Sequence, residues 1–422
     1  MLSTIFSLPL SILLALGLVL SFSLLTAVPA LAFTQVWVDD DAPNDPVWYD
    51  NSVSDPAEDG SQAHPFDSIQ EAISYIAGIP DDGTVHVLEG TYYEDITLNN
   101  GVDVLGAGAA VTTIDGTGTS HVVSAGGGVG SGTVFDGFTI TGGLASYGGG
   151  MHIDGCSLTV SNCVFTGNSA ANRGGGMYTF NGSSPVVANC IFQGNTSGDT
   201  GGAIGCRSSS NPTIINNTIV GNTANGSSTF TEGGGGIYSD ITSSPIIFNN
   251  IIVGNHAPNG YGGGILTRNA TPPTIDYNDV YGNTSSVVGT ENYGGTATAG
   301  TNDISADPPF AVPGDYHLQL GSPCIDVGSN AAVTAAGLTT DFEGEPRIFD
   351  GDIVPGAVVD MGADEYYVAP PPPPPPRGPV GGEVYPIDKA ALLLPWLGLS
   401  IVLILAAGGL ILARRAGRLR EL

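Results

Sequence analysis

The stretch GGAIGCRSSSNPTIINNTIVGN, residues 201–222, decides the fold. It holds a glycine pair followed by apolar residues, then two short β-branched runs, Thr213-Ile214-Ile215 and Thr218-Ile219-Val220, and a Gly-Asn stop, with no helical period. Working outward, the same order recurs five times between residues 144 and 285, with stops reading FTGN, FQGN, IVGN, IVGN and VYGN. The stop glycines fall at 167, 194, 221, 254 and 282, so the period is 27, 27, 33 and 28 residues. A unit of that length built from short strands cannot bury its own apolar side. It must stack on its neighbours, which predicts a solenoid grown one coil at a time.

From the last glycine of each run (Gly150, Gly176, Gly202, Gly236, Gly264) to the stop glycine is 17, 18, 19, 18 and 18 residues. From each stop to the last glycine of the next run the spacing is 9, 8, 15 and 10. Insertions are thus confined to one edge of the coil, where a bulge meets only solvent. The longest, 222–235, ends in Phe230, Thr231 and Glu232.

Two residues before each stop glycine stand Ile140, Phe165, Phe192, Ile219, Ile252 and Val280, a core stack by parity. Four before stand Phe138, Cys163, Cys190, Asn217, Asn250 and Asn278, facing the same way. Amides stacked about 4.8 Å apart bond to one another along the column, so Asn217, Asn250 and Asn278 read as a structural ladder. Cys163 and Cys190 are adjacent in this column. Their spacing is within reach of a disulfide in an oxidising compartment, and two small free thiols filling the core is the simpler reading.

Glycine makes up 63 of 422 residues, as tight corners require. Between residues 33 and 369 there are four arginines, no lysine and 37 acidic residues, a net charge of −33. That balance excludes nucleic acid as a partner, and polyanionic glycans would need bridging cations.

Both ends address the chain to a membrane. Residues 1–32 are apolar and end in Ala30-Leu31-Ala32, the pattern of a cleaved signal peptide. No Lys or Arg precedes the apolar core, so an uncleaved anchor is the alternative. Residues 390–413 are long enough, at roughly 36 Å as a helix, to span a bilayer. Arg414, Arg415, Arg418 and Arg420 follow, which places 414–422 in the cytoplasm and the solenoid outside. The linker 368–389 contains Pro370 to Pro376, a stiff spacer.

Within the exported part, residues 33–83 form an N-terminal cap whose short helix carries Ile69, Ala72, Ile73 and Ile76 on one face. Residues 84–285 form the coils, and 286–367 the C-terminal coils and cap. The fold class is all-β: a single-stranded right-handed parallel β-helix with an N-terminal capping helix and one C-terminal transmembrane helix.

Several segments carry a resemblance. GTYYEDITLNNGVDVLGAG (90–108), FDGFTITGG (135–143) and the repeats resemble right-handed parallel β-helix proteins of the pectate-lyase-like superfamily. DGSQAHPFDSIQEAI (59–73) is similar to the capping helix of those proteins. GGAI with FTGN and FQGN is similar to repeats of chlamydial polymorphic outer membrane proteins. ISADPPF (304–310), DYHLQLGSPCIDVGSN (315–330), DFEGEPR (341–347) and DMGADEY (360–366) resemble the C-terminal domain of bacterial surface proteins of the choice-of-anchor Q type. The resemblance implies fold and surface anchoring rather than a reaction.

Enzymes of that superfamily use clustered Asp residues, or Asp-bound calcium with a basic residue, on outer faces. The coils from 137 to 285 contain only Asp154, Asp199, Glu232, Asp240, Asp276 and Asp279, and no carboxylate pair can be assigned across adjacent coils. The six histidines are scattered and no zinc spacing occurs. Asp341, Glu343, Glu345 and Asp352 take positions 1, 3, 5 and 12 of an EF-hand-like window, but Pro346 stands where glycine is needed. An oxygen-rich Ca2+ site elsewhere in the acidic cap stays open.

The outer face carries the candidate binding residues. One column reads Tyr147, Arg173, Asp199, Gly233 and Tyr261 beside the variable edge; a second reads His152, Tyr178, Ile204, Tyr238 and Leu266; a third reads Asp154, Phe180, Cys206, Asp240 and Arg268. Exposed tyrosines beside planar polar groups suit a sugar-stacking groove, with Glu232 at its edge. The competing account is plain inter-coil ion pairing of Arg173 with Asp199 and Arg268 with Asp240. The expected function is a membrane-tethered extracellular surface that binds glycans or a cell-envelope partner. The alternatives are a polysaccharide lyase or glycoside hydrolase, and a structural surface-layer or spacer protein.

Overall fold

The computed structural model describes residues 34–40, 59–79, 82–226, 232–269, 273–312, 314–349 and 356–367. The expected signal peptide, Pro-rich linker, membrane helix and basic tail lie outside them. Among the described residues no helix is long and apolar enough to cross a membrane.

The described chain is a parallel β-solenoid whose strands stack into four sheets. Sheet I runs from Thr34–Val38 and Gly83–Val87 through Val186–Ala188 and Thr213–Ile215 to Thr274–Asp276. Sheet II runs from Gly90–Tyr92 through Ile191–Gln193, Thr218–Val220 and Ile251–Val253 to Asp279–Tyr281. Sheet III is the short-strand edge from Leu144–Tyr147 to Thr284–Ser285, and sheet IV runs from Ile96–Leu98 through Met177–Phe180, Ile204–Cys206 and Ile237–Ser239 to Tyr293–Gly295. Each strand pairs in register with the strand one coil on, as Phe165 with Phe192 and Ile219 with Ile252. Like residues therefore stack on like, and the Phe165 and Phe192 rings lie 4.7 Å apart and nearly coplanar.

Helix α1 (Ile69–Ala77) packs Ile69, Ala72, Ile73 and Ile76 into the same apolar cluster as the inward residues of the first coils. Glu94 holds its start, accepting from the N–H groups of Ile69 (2.7 Å) and Gln70 (3.0 Å) and from the Ser68 hydroxyl (2.9 Å). A carboxylate at a helix N-terminus meets the free N–H groups and the positive end of the dipole. The region assigned to the cap also supplies a strand, since Thr34–Val38 is the outermost member of sheet I.

Two amide columns run through the interior. Asn217 Nδ2 donates to Asn250 Oδ1 (3.0 Å) and Asn250 Nδ2 to Asn278 Oδ1 (2.9 Å), and the column ends on Asp303. A longer one, formed by the stop asparagines Asn168, Asn195, Asn222, Asn255 and Asn283, makes the same bonds at 2.9–3.1 Å. In the sequence these asparagines read only as the Gly-Asn stops that close each unit. In each unit the preceding glycine adopts a positive φ, 61° to 66°, which turns the next side chain inward. Cys163 and Cys190 are free thiols, not a disulfide. Each donates to the carbonyl two residues back, Ser161 (3.0 Å) and Ala188 (3.1 Å), so both sulfurs are satisfied as core filler.

Beyond Ile304 the described residues add no further coil. Residues 306–312, 314–349 and 356–367 fold back along the flank, with an antiparallel pair, Phe310–Val312 with Asp315–Leu318, and helix α2 (Asn330–Ala336). They cover outward positions of sheets I and II: Ile251 and Val253 meet Leu318, Ile325 and Met361, while Ala188 and Ile215 meet Val333 and Val359. The reason is visible in those strands. Ile251-Ile252-Val253 is apolar at three successive positions, so both of its faces need burial. The cap is knit around Arg347, which is fully buried, donates to the carbonyls of Ala363 (3.0 Å) and Gly362, and stands 3.6 Å from Glu365.

Candidate functional site: an arginine-bearing face and a flank cleft

The outer face of sheets III and IV departs from the sequence reading at one coil. Tyr178 pairs with Gly205, not Ile204, and Gly205 with Tyr238. Arg173 pairs with Thr200, not Asp199, and Thr200 with Gly233, which pairs with Tyr261. The cause is Ala203, which takes the third place of that coil's glycine run. Gly176 N–H donates to Ala203 O (3.0 Å) just as Ala203 N–H donates to Gly236 O (3.1 Å). Counting from Gly202 shifts the coil by one residue, and a one-residue shift exchanges the faces of a strand. Ile204 and Cys206 accordingly point inward and are fully buried, and Arg207 takes the outward place.

That correction changes the ion pairs. Asp240 Oδ2 is 3.5 Å from Arg207 Nε, and Arg268 is drawn instead to the Tyr238 hydroxyl. Asp240 also accepts from the N–H groups of Ser208 (3.2 Å) and Thr242 (3.0 Å). Its burial, which disfavours charge, is outweighed by these bonds, and its carboxyl lies below the usual range. Arg173 lies 3.8 Å from Asp199 and 5.9 Å above the Tyr147 ring. Burial raises the Asp199 carboxyl, Glu232 adds to this, and Arg173 opposes it.

Two of the candidate tyrosines are not exposed. Tyr178 is 3% and Tyr238 6% accessible. The Tyr178 ring occupies the room left by Gly205, whose added Cβ would lie 3.1 Å from Tyr178 Cδ2. Tyr178 is the centre of an aromatic sheet, 5.3 Å from Tyr147 and 5.8 Å from His152, which stacks 4.7 Å from His121. Burial pushes the Tyr178 hydroxyl up to about 12 against the pull of Arg207 and Arg173. Tyr147, Arg173, Arg207 and Arg268 all reach solvent on this face, beside the partly exposed Asp199, Asp240 and Tyr261.

A second candidate lies on the flank, where the C-terminal cap leaves a cleft of about 350 Å³ against sheet II. Thr139, Val164 and Ile191 form its floor, and Tyr316 and Phe342 belong to its cap-side wall. At its rim the donor atoms of His317, Glu343 and Asp364 lie within 4.8 Å of one another. His317 Nε2 is 2.8 Å from Glu343 Oε1, and its Nδ1 contacts Asp315 Oδ1. Burial works against a charged ring, but the bonds to Asp315 and Glu343 prevail and hold His317 at about 9. Burial also pushes Asp364 up to about 7, partly offset by the Leu318 N–H bond.

The EF-hand-like reading fails on geometry as well. Asp341 Oδ1 accepts the N–H groups of Glu343 (3.0 Å), Gly344 (2.9 Å) and Glu345 (2.9 Å), so Asp341 anchors a turn; Asp352 lies outside the described residues. The sequence missed the His317 group because its members sit 26 and 21 residues apart on a cap with no repeat. The signal present was the short acidic motifs around 343 and 364.

Residues 100–257 match the family described as a right handed beta helix region. No curated protein matches the chain. Among solved structures, the β-helix is similar to a pectin methylesterase mutant in complex with a hexasaccharide (10% identity, 49% of this chain and 63% of that chain, TM-score 0.30). It is also similar to the pectin methylesterase PemA from Erwinia chrysanthemi (9% identity, 59% and 91%, TM-score 0.30). A third is the A-module of a mannuronan C-5 epimerase from Azotobacter vinelandii (15% identity, 57% and 95%, TM-score 0.20). Likenesses at these scores carry no argument about chemistry.

Proposed function

We propose that the chain is an exported, membrane-tethered β-helix whose arginine-bearing face binds glycans or another cell-envelope component outside the cell. The observation that carries this reading is the placement of cations. Of the four arginines between residues 33 and 369, Arg347 is buried, and Arg173, Arg207 and Arg268 all stand on the outer face of sheets III and IV. An ectodomain of net charge −33 has its solvent-reaching arginines on one side. Guanidinium groups beside a half-exposed Tyr147 suit sugar hydroxyls and isolated sugar carboxylates, by planar hydrogen bonding and ring packing. The surrounding negative field disfavours polyanions.

The signal-like residues 1–32, the Pro-rich linker and the apolar segment 390–413 followed by arginines support the tether, as does the resemblance of the cap motifs to choice-of-anchor Q domains.

The test is retention of the full-length protein, in detergent micelles, on immobilised neutral and acidic polysaccharides, with released oligosaccharide recorded in parallel. Retention without products, reduced at least about tenfold in an Arg173→Ala/Arg207→Ala variant, is the expected result. New reducing or unsaturated ends would replace this reading with an enzyme. No retention would leave a structural spacer.

A further inference from the structure

The His317 group on the flank is separate from the arginine-bearing face and combines an imidazole with two carboxylates, each from a different stretch of the cap. His317 lies in the strand Asp315–Leu318, Glu343 in the turn anchored by Asp341, and Asp364 in the closing segment 356–367. Their donor atoms are mutually within 4.8 Å, close to the spacing of about 3.3 Å that bonds of ~2.0 Å in a tetrahedron require. We propose that His317, Glu343 and Asp364 bind a divalent transition-metal ion of the Zn2+ class at the rim of the flank cleft.

Two further observations favour a metal over a plain hydrogen-bonded cluster. Asp364 is 8% exposed, yet among the described residues it receives one hydrogen bond, from Leu318 N–H to Oδ2 at 3.1 Å, and none at Oδ1. Its Oδ1 is thus left available on the cleft side to a positive ligand, which a carboxylate this far withdrawn from water favours. The second is the orientation of His317. Asp315 engages Nδ1, which directs Nε2 toward Glu343 and Asp364, the carboxylate–histidine arrangement that fixes a ligating imidazole. Imidazole as a donor disfavours Ca2+ and Mg2+, which take oxygen ligands.

Three protein ligands leave a fourth position, and the same three residues also line the cleft. That position therefore opens on a chamber floored by Val164 and Ile191 rather than on the protein interior. The ion also adds to the His317–Glu343 contact and the Leu318–Asp364 hydrogen bond that already join the three chain segments, so its loading stabilises the cap.

The experiment uses the full-length protein, stripped with chelator and titrated with ZnCl2 by calorimetry, with Co2+ substitution as a spectroscopic readout. One Zn2+ per chain is expected, with visible Co2+ ligand-field bands of a tetrahedral site. His317→Gln and Glu343→Gln, both at partly exposed positions, should each weaken Zn2+ binding by at least about tenfold and abolish the bands, and Asp315→Asn should weaken it by about tenfold through the ring orientation. Circular dichroism of the variants should match the parent. No stoichiometric uptake, or uptake unchanged in both His317→Gln and Glu343→Gln, would overturn the proposal.

Discussion

Asn222 donates twice to one atom of its neighbour: its main-chain N–H and its Nδ2 both reach Asn255 Oδ1 at 2.9 Å. Asn195 treats Asn222 in the same way, and Asn222 Nδ2 also serves the carbonyl of Phe192 (2.9 Å). Every rung thus satisfies a neighbouring main chain as well as itself. Asn222→Ala should cost about 3 kcal/mol, because it strands two buried donors of Asn195 and a carbonyl. Exposed Asn259→Ala should cost under about 0.5 kcal/mol. Urea midpoints followed by circular dichroism would compare them, and equal midpoints would refute the ladder's structural weight.

Corner glycines separate backbone strain from steric clash. Gly254 has φ +63° with nothing near a prospective Cβ, whereas at Gly174, φ +65°, a Cβ would lie 2.3 Å from Met177 O. Gly254→Ala should cost about 1 kcal/mol, the left-handed penalty alone. Gly174→Ala should cost about 3 kcal/mol or more, since a main-chain carbonyl must move too. Thermal melts of the two variants would show a clear gap in Tm.

The five cysteines are free and buried. Burial pushes the Cys156 thiol up to about 11 and Cys206 to about 12. Thiolate, the reactive form, is therefore scarce as well as inaccessible. A thiol reagent applied to the native protein should label none of them, and all five after denaturation without reductant. Four or fewer labels after denaturation would indicate a disulfide.

The buried cluster around Arg347 makes the cap sensitive to pH. Burial pushes Asp360 up to about 7, with the Asp326 and Tyr366 N–H bonds and Arg347 opposing it and Asp326 adding to it. Glu365, buried beside Asp360, is raised as well despite Arg347. A carboxyl whose folded pKa exceeds its unfolded value binds more protons folded than unfolded. Its contribution is fully present below the unfolded value near ~4 and is lost as pH rises through the folded one. In chelator, the cap should resist proteolysis better at about pH 5.5 than at about pH 8.5. The reverse order would mean that these carboxyls are ionised in the fold.

Much of the interior was legible in the chain because it repeats. Parity placed Phe165, Phe192 and Ile252 inward, and all three are fully buried. The stop asparagines were equally periodic but were passed over, since a Gly-Asn pair serves a turn as readily as a ladder; the turn of the preceding glycine decides which way the amide points. The outer face was less legible. Ala203 stands where its neighbours carry glycine, and that one substitution moved Arg207 into the place assigned to Cys206. Burial of Tyr178 depends on Gly205 in the next coil, a contact between coils that alternation within a strand does not specify.

The sequence by itself determined the coil, its inward columns and its acidic balance, because each follows from local spacing repeated many times. The tertiary structure alone decided which groups meet on the flank. His317, Glu343 and Asp364 come together through a cap that folds back over Ile251 and Val253, driven by apolar outward positions several coils away. Contacts between segments with no shared period leave no spacing to read, so only the packed chain brings them together.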